Sequence, residues 1–417
     1  MENVYRGYFS DRMGRPAKDS RLICGLLVVK HIECYSDERV VEEYLENPYV
    51  QVFCGEETFV TEGGIEASLL SKMRKRLGKE FFQQFERDVL DILKRRRMIK
   101  TEDHLLDATV VPANIEYPTD AKLLNRARQW VVKGIREIRR RCDVKGKVRT
   151  YCRKAQAVYL GFTKKRKKTK AMIRLMRGKL LRYLRRNVAQ LEKLLQAHGE
   201  RLKARERRFL EERLKTVKLI YEQQREMWKT KARTVAGRIV SLHLPYIRPI
   251  IRGKDGRDVE FGPKVLLSWV GGYGFLDALS FDAHNEGALW GESLDLHKKR
   301  FGAYPVESTG DGIFGTWANR AMLKGKGVRG GVKALGRSAK TTENREWLRE
   351  KLKLRGSRME GIIGHAKNNF GLDRIRYKIK DGEEMWIRLG LLAMNLSTAV
   401  KKMGQGGGSM GDARATA

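Results

Sequence analysis

HLLDATVVPA, residues 104–113, is the stretch at which the chain first changes from a helical pattern to a strand pattern. Leu106, Ala108 and Val110 recur at every second position, and this period of two is typical of a β-strand with one buried face. Asp107 falls on the opposite face. An acid in the middle of a strand has two interpretations, either an exposed strand face or a functional carboxylate.

The chain before this strand, residues 1–100, has the pattern of a compact helical domain. Ser36 begins a capping sequence ahead of an apolar helix that ends at the Asn47-Pro48 pair. Further helices are predicted at 64–76 and 78–98. Their basic ends are typical of a helix-turn-helix DNA-binding unit, although helices of other proteins have them too.

The chain after it carries a long basic helical segment, residues 121–235, beyond a first-strand segment at 101–120. Thr119 or Asp120 is the predicted cap of its first helix. Leucines recur at steps of three and four residues between 180 and 195, which indicates a helical hairpin or a coiled-coil arm. A basic run with the pattern of a loop or helix end lies near its start and is predicted to contact phosphates: Lys164, Lys165, Arg166, Lys167 and Lys168.

Strand patterns return in residues 236–403, the predicted remainder of the strand-bearing domain. A β-meander is predicted over three segments, Arg238–Leu244, Asp258–Val270 and Gly274–Phe281. A later strand ends at Asp311, inside a Gly-Asp-Gly turn where the acid is either a turn former or a ligand. A long helix over Thr342–Phe370 carries Glu360, and a closing helix follows at 385–402. The tail, 404–417, is low in complexity and predicted to be disordered.

The composition favours a polyanionic partner. Lys and Arg number 87 against 50 acids, the formal charge is +37, and the sequence pI is near 10.1. Nucleic acid is therefore the expected partner. The longest apolar run, 265–281, is too interrupted to span a bilayer, and no signal segment is recognised, so a bacterial cytoplasmic location at the nucleoid is expected. The five cysteines include no CxxC pair, which argues against a zinc ribbon and fits reduced thiols.

Asp107, Asp311 and Glu360 form an ordered trio of acids on two strands and one helix. Mg²⁺ prefers carboxylate ligands, and two ions about 3.5 to 4 Å apart can activate a nucleophilic oxygen and stabilise a leaving oxygen. Three acids so far apart in sequence can share ions only if a fold brings two adjacent strands and a helix together. A chain with fifty acids offers many such trios, so the spacing alone carries little weight.

The sequence resembles the bacterial DDE transposases of the insertion sequence five group up to about residue 402. The likeness rests on five blocks in order: GRPAKDSRLICGLLVVKHIECYSDERVVEEYLENPYVQVFCG (14–55), LLDATVVPANIEYPTDAKLLNRAR (105–128), VSLHLPYIRPIIRGKDGRDVEFGPK (240–264), STGDGIFGTWANR (308–320) and RGSRMEGIIGHAKNNFGLDRIRYK (355–378). The resemblance implies a mixed α/β chain with a ribonuclease-H-like catalytic domain, an N-terminal DNA-binding domain and an inserted basic helical segment.

The same resemblance implies the roles of individual residues. Asp107, Asp311 and Glu360 match the metal-binding acids, with two Mg²⁺ ions as cofactors and Mn²⁺ as a substitute. Lys367 matches the lysine of the Y-R-E-K signature and would hold DNA near the cut end. The tyrosine and arginine of that signature fall on Lys353 and Gly356, so Arg358 is the expected replacement for the arginine. The second block departs as well, reading Gly-Asp-Gly-Ile-Phe-Gly after its serine and threonine.

Further basic residues are predicted to contact double-stranded DNA, and a homodimer or higher oligomer is expected on it. These residues are Arg374, Arg376, Arg248, Arg252, Lys254 and Lys264. Other candidates have plainer interpretations. His243 and His365 are more often structural, and Asp277, Asp282 and Glu307 are rival ligands near the strands. Most tryptophans belong to a core, while Trp317 is the candidate for stacking on a flipped base.

Three functions are compatible with these patterns. The first is a transposase that binds terminal inverted repeats, cuts DNA and joins strands. The second is a structure-selective or RNA-directed nuclease on the same fold, which cuts without joining. The third is a non-catalytic nucleic-acid-binding relic whose acids no longer bind metal.

Overall fold

The structure is a computed structural model of the 417-residue chain. It describes residues 2–10, 12, 14, 16–62, 64–146, 148–251, 259–282, 285–333 and 342–407. The chain divides into two compact units, Met1–Asn114 with Gly262–Ala417, and Ile115–Phe261. The predicted borders differ from this division. The sequence predicts residues 1–100 as a domain of their own, but here they belong to the same unit as the C-terminal third, and 236–261 belong to the second unit.

Helices dominate both units. The α-helices are α1 (Glu2–Arg6), α2 (Ser20–Ile32), α3 (Asp37–Glu46), α4 (Pro48–Cys54), α5 (Ala67–Arg95), α6 (Asp120–Arg141), α7 (Cys152–Thr163), α8 (Lys170–His198), α9 (Ala204–Thr230), α10 (Trp290–Phe301), α11 (Trp317–Gly325), α12 (Thr342–Asn369) and α13 (Gly382–Gly407). The strands are β1 (Asp103–Val110), β2 (Pro249–Ile251), β3 (Val259–Phe261), β4 (Lys264–Val270), β5 (Tyr273–Ser280), β6 (Glu307–Thr309) and β7 (Arg329–Gly331).

The sheet of the first unit has five strands in the order β5-β4-β1-β6-β7. β1 pairs antiparallel with β4, and β4 pairs antiparallel with β5. β1 pairs parallel with β6, and β6 pairs parallel with β7. β1 is thus the central strand, and the two strands that carry or precede the predicted acids are neighbours.

Both faces of β1 pack against hydrophobic cores, whereas the alternation in its sequence predicts one buried face. Leu105 and Val111 join a large core made with the N-terminal helices and α13. Leu106 joins a smaller core with Trp290 and Phe314. The N-terminal helices and α13 therefore share one core with the sheet.

Local sequence signals set several helix ends. Ser36 accepts a hydrogen bond from the Arg39 backbone N–H and begins α3. Thr119 caps α6 in the same way. The span α5 consists of two helices that meet at the non-helical Gly78, as the predicted helices at 64–76 and 78–98 require; the φ of 68° at this position favours glycine.

The second unit is a bundle in which α6, α8 and α9 enclose a shared apolar core, and α7 packs on it. α8 and α9 form the predicted helical hairpin, and α6 completes the bundle. The predicted strand over Arg238–Leu244 is wrong, because the first strand described in this part of the chain is β2 at Pro249–Ile251. Ile239 and Leu242, three residues apart, instead bury their side chains in the helical core.

Candidate metal and DNA-binding site

The first two predicted acids come together because of strand register. Leu105 on β1 pairs with Thr309 on β6 in parallel orientation. That pair is the last one of the register, and Asp107 and Asp311 each lie two residues beyond it; the charge of Asp311 acts on the Asp107 carboxyl. Asp311 follows the strand directly and accepts a hydrogen bond from the Ile313 N–H at 2.7 Å.

The Asp107 carboxylate lies in a largely buried, acid-rich environment. Burial raises its pKa above the ordinary value, and the negative charges of Asp311 and Glu286 raise it further. Arg355 opposes this shift, since its Nη2 lies 2.7 Å from Asp107 Oδ1. That contact is an ion pair but not an aligned hydrogen bond. The raising effects of burial and of the two acids therefore outweigh the effect of Arg355 on the pKa of Asp107.

Arg355 belongs to α12, which packs across β1. Its Nε also donates to the Leu106 carbonyl at 3.3 Å. Near the end of the helix, Lys367 Nζ lies 3.1 Å from Thr109 Oγ1. Thr109 is two residues from Asp107 on the same strand face. Arg355 and Lys367 therefore fix α12 over the acid-bearing face of β1.

Glu360 lies on α12 between these two anchors. Its side chain is exposed. The seven-residue spacing to Lys367 sets both on one side of the helix, the side that meets Thr109. Across the part of the chain that the structure describes, however, no three His, Cys, Asp or Glu side chains are grouped closely enough to hold one ion. The fold thus brings Asp107 and Asp311 together and leaves Glu360 on a neighbouring exposed surface.

Glu286 is an acid that the sequence does not single out. It begins a short 3-10 helix, Glu286–Leu289, is mostly buried, and forms an ion pair with Lys264. Its charge acts on Asp107. No motif marks this residue in the sequence, and only the three-dimensional packing shows that it faces the first acid.

The rival acids have other partners. Asp277 is 1% exposed and accepts hydrogen bonds from Ser293 and Arg300. Glu307 accepts a hydrogen bond from Trp347 Nε1 at 3.0 Å and forms an ion pair with Lys351. These contacts tie α10 and α12 to the sheet. Asp282 shares a turn with Ser280, whose hydroxyl accepts from its backbone N–H at 3.2 Å.

The remaining predicted residues occupy several surfaces. Arg358 and His365 line a groove of about 870 Å³ beside Trp269, on the side of α12 away from Lys367. Trp317 is 76% exposed, as base stacking would require. The exposed residues 164–168 connect α7 to α8, as predicted. Arg374 and Arg376 are exposed beyond the end of α12. Arg252 and Lys254 lie outside the described residues.

Comparison with known proteins supplies an independent observation. Residues 1–76 match the family model described as "Transposase domain (DUF772)". The chain is also 38% identical over 130 residues to "Uncharacterized protein ORF8 in nfe locus" from Rhizobium meliloti, an alignment that covers 30% of this chain and 63% of that protein. The chain thus spans less than two thirds of that relative's length. No solved structure matches the chain.

The class that these observations define is coarse: a mixed α/β chain, mostly helical, with a five-stranded mixed sheet and an N-terminal transposase domain. Among the described residues, no helix is both long and apolar enough to cross a bilayer.

Proposed function

We propose that this protein is a DNA transposase that binds terminal inverted repeats and catalyses metal-dependent strand cleavage and strand transfer. The observation that carries the proposal is that Asp107 and Asp311 follow the last paired residues of two neighbouring parallel strands and interact, in a chain whose first 76 residues match a transposase domain. Two adjacent parallel strands with a helix across them are what a ribonuclease-H-like catalytic site needs. The proposed setting is the bacterial nucleoid, with the protein acting as a homodimer or higher oligomer on DNA.

Hard cations such as Mg²⁺ and Mn²⁺ prefer carboxylate oxygens, which Asp107 and Asp311 would supply. Burial raises the pKa of Asp107, and the charges of Asp311 and Glu286 add to this effect, so a bound cation would stabilise the charged form of this carboxyl. Glu360 would complete the set in the DNA-bound protein. When bound, two ions supply a nucleophilic oxygen at neutral pH and stabilise the leaving oxygen.

The chain's own residues would orient the DNA around these acids. Lys367, held against Thr109, presents an ammonium beside β1 that can contact a phosphate. Arg355 balances part of the Asp107 charge while DNA and ions are absent. Arg358, on the other side of α12, lines the groove beside Trp269 and can hold a second stretch of backbone. These contacts position a strand but do not read its sequence.

A strand-transfer assay tests the proposal. The protein is incubated with a DNA end carrying a 3′ hydroxyl, a target duplex and Mg²⁺. We expect joined products from the wild type, and loss of joining in Asp311→Asn and Glu360→Gln. Asp373→Asn is the matched control, because Asp373 is an exposed acid beyond α12 that has no proposed role.

Each rival function has its own outcome in this assay. Cutting without joining would replace the proposal with a nuclease. DNA binding with neither reaction would favour the non-catalytic relic, which is the function that the exposed position of Glu360 and the Arg355–Asp107 pair support. Joining that survives Asp311→Asn would show that the acids are wrongly assigned.

A further inference from the structure

A second charged pocket lies in the first unit, separate from the Asp107 site. It has a volume of about 480 Å³. We name it the Asp37 pocket, after the acid that lines it. Its charged lining consists of that acid and five cations: Lys30, Arg74, Lys75, Arg376 and Lys378. The pocket therefore carries a large excess of positive charge in a small volume.

The floor of the Asp37 pocket consists of buried cations. Lys30 and Arg74 are each 4% exposed. Lys30 Nζ lies 2.8 Å from Asp37 Oδ1, and Arg74 donates to both carboxylate oxygens at 2.9 and 2.5 Å. One carboxylate thus serves two buried cations. Arg74 Nε is also buried and makes no hydrogen bond to any residue that the structure describes.

The rim adds cations that the floor does not neutralise. Burial lowers the pKa of the Lys30 ammonium; Asp37 raises it, and the charges of Arg74 and Arg376 lower it again. Along the rim, exposed Arg376 and Lys378 alternate with the buried side chain of Tyr377. An uncompensated buried charge is costly, so an anion in this pocket would relieve a real electrostatic penalty.

We infer that the Asp37 pocket binds a phosphate group, and that in the working protein this phosphate belongs to the DNA backbone. Arginine forks and lysine ammonium groups are the side chains that recognise phosphate oxygens. The DNA source rests on the proposed function, whereas the phosphate chemistry does not.

The location of the pocket supports a DNA source. Asn114 lines it, a few residues beyond the end of β1. The Ile375 N–H, next to Arg376 of the rim, donates to the Pro112 carbonyl at 2.8 Å. This hydrogen bond ties the rim to the segment that follows β1. The pocket also takes Lys30 and Arg74 from within residues 1–76, the matched transposase domain. A strand held here would be anchored between that domain and the strand that carries Asp107.

Two charge-matched double variants test the inference on the full chain. Arg376→Ala with Lys378→Ala removes two cations that line the pocket. Lys380→Ala with Lys401→Ala removes two exposed cations of the same unit that do not line it. None of the four side chains is buried, so both proteins should unfold at the wild-type temperature, which differential scanning calorimetry checks.

Inorganic phosphate is the first probe, measured by isothermal titration calorimetry. We expect the pocket variant to bind phosphate about tenfold more weakly than the wild type or worse, because charge-assisted hydrogen bonds to the anion are removed, and the control variant to bind like the wild type. Equal affinities for the two variants would overturn the inference.

A DNA duplex is the second probe, with affinity measured across salt concentrations. Both variants should lose general electrostatic attraction, but the pocket variant should show the shallower salt slope, by about 0.9 for each phosphate that the protein no longer neutralises. Phosphate binding without this difference would assign the pocket to free phosphate and overturn the DNA source. A wild type that binds phosphate here but joins no DNA would refute the proposed function and leave the phosphate site standing.

Discussion

Asp107 and Asp37 are two largely buried aspartates whose surroundings act in opposite directions. Burial works to raise the pKa of both carboxyls. At Asp107 the charges of Asp311 and Glu286 add to burial, and Arg355 does not cancel them, so the pKa is raised. At Asp37 the hydrogen bonds and charges of Arg74 and Lys30 outweigh burial, so the pKa is lowered.

The difference shows what each region of the first unit lacks. Asp107 is buried beside two further acids, Asp311 and Glu286, so a metal ion bound there would stabilise its charged form. Around Asp37 there are more cations than carboxylates, so the pocket gains free energy from an anion such as a phosphate. A phosphodiester with its metal ions supplies both kinds of charge, which is why one DNA strand can satisfy both regions.

The strongest test of this contrast is Asp107→Asn. We expect strand joining to fall more than about 100-fold, because a ligand and a catalytic charge are removed. The same change should raise the thermal unfolding temperature at neutral pH. The folded-state pKa of Asp107 lies above the unfolded-state pKa. The contribution of Asp107 to stability therefore falls as pH rises from the unfolded-state pKa to the folded-state pKa. Asparagine stays neutral at this position, so the variant does not bury a charge.

Calorimetry and the joining assay together check this variant. Asp373→Asn, an exposed acid with no such neighbours, serves as the control and should change neither quantity. A lower unfolding temperature for Asp107→Asn would contradict the acid-rich description of the site.

Asp37→Asn should have the opposite effect on stability. It leaves Lys30 and Arg74 without their shared carboxylate, and breaking a buried ion pair in this way costs about 3 kcal/mol. The folded-state pKa of Asp37 is depressed, so its contribution is present above the ordinary value of 3.8 and is lost as pH falls through the folded value. Urea unfolding between neutral and acidic pH measures both.

Glu42→Gln is the matched control for this variant. Glu42 is an exposed acid on the same helix, α3, and pairs with Arg39 at the surface, where ion pairs contribute little. Equal losses of stability in the two variants would mean that the buried cations do not depend on Asp37.

The sequence predicts the acids of the Asp107 site better than it predicts the buried cations of the Asp37 pocket. The alternation in β1 and the order of the acid-bearing blocks mark Asp107, Asp311 and Glu360, and capping residues mark α3 and α6. The sequence places Arg74 at the basic end of a helix that is predicted to bind DNA. In the structure its side chain is buried. Its spacing from Leu70 and Leu77, four and three residues, is the signal that sets it on the apolar face of α5.

Other parts of the fold could not be predicted because they depend on distant partners. Arg355 and Glu286 meet Asp107 only through packing, since neither falls at a motif position. The segment Arg238–Leu244 alternates like a strand, but local alternation does not say whether the buried side chains will face a sheet or a helical core. In this segment the buried side chains of Ile239 and Leu242 face a helical core.

Arg355→Met should produce a smaller change at the Asp107 site. The positive charge of Arg355 lowers the pKa of Asp107, so its removal raises that pKa further. In the metal-free protein the Asp107 carboxyl should therefore titrate at higher pH than in the wild type, which NMR of the carboxyl carbon measures. Arg358→Met is the control, because Arg358 lines the groove beside Trp269, away from Asp107; the titration of Asp107 should stay at the wild-type position in this variant. An unchanged titration of Asp107 in Arg355→Met would show that Arg355 does not act on this carboxyl.

The smallest expected effect concerns residues 164–168, the exposed basic loop of the second unit. This loop has neither the buried acid nor the buried cations that the first unit has. Replacing Lys164, Lys165 and Lys167 with alanine should weaken duplex binding and flatten its salt dependence by about 0.9 for each phosphate that the loop no longer neutralises. Lys168 is left in place, because its Nζ donates to the Lys165 carbonyl at 2.7 Å and lies over the Phe162 ring.

A triple variant at the start of α9 provides the control for that loop, since it removes three exposed cations from the same unit: Lys203, Arg205 and Arg208. If the loop contacts phosphates, its variant should have the shallower slope of the two. Equal slopes would mean that DNA senses only the net charge of the second unit. Recognition of backbone phosphates at defined positions would then be confined to the first unit. There, buried acids and buried cations determine the positions at which a metal ion or a phosphate is bound.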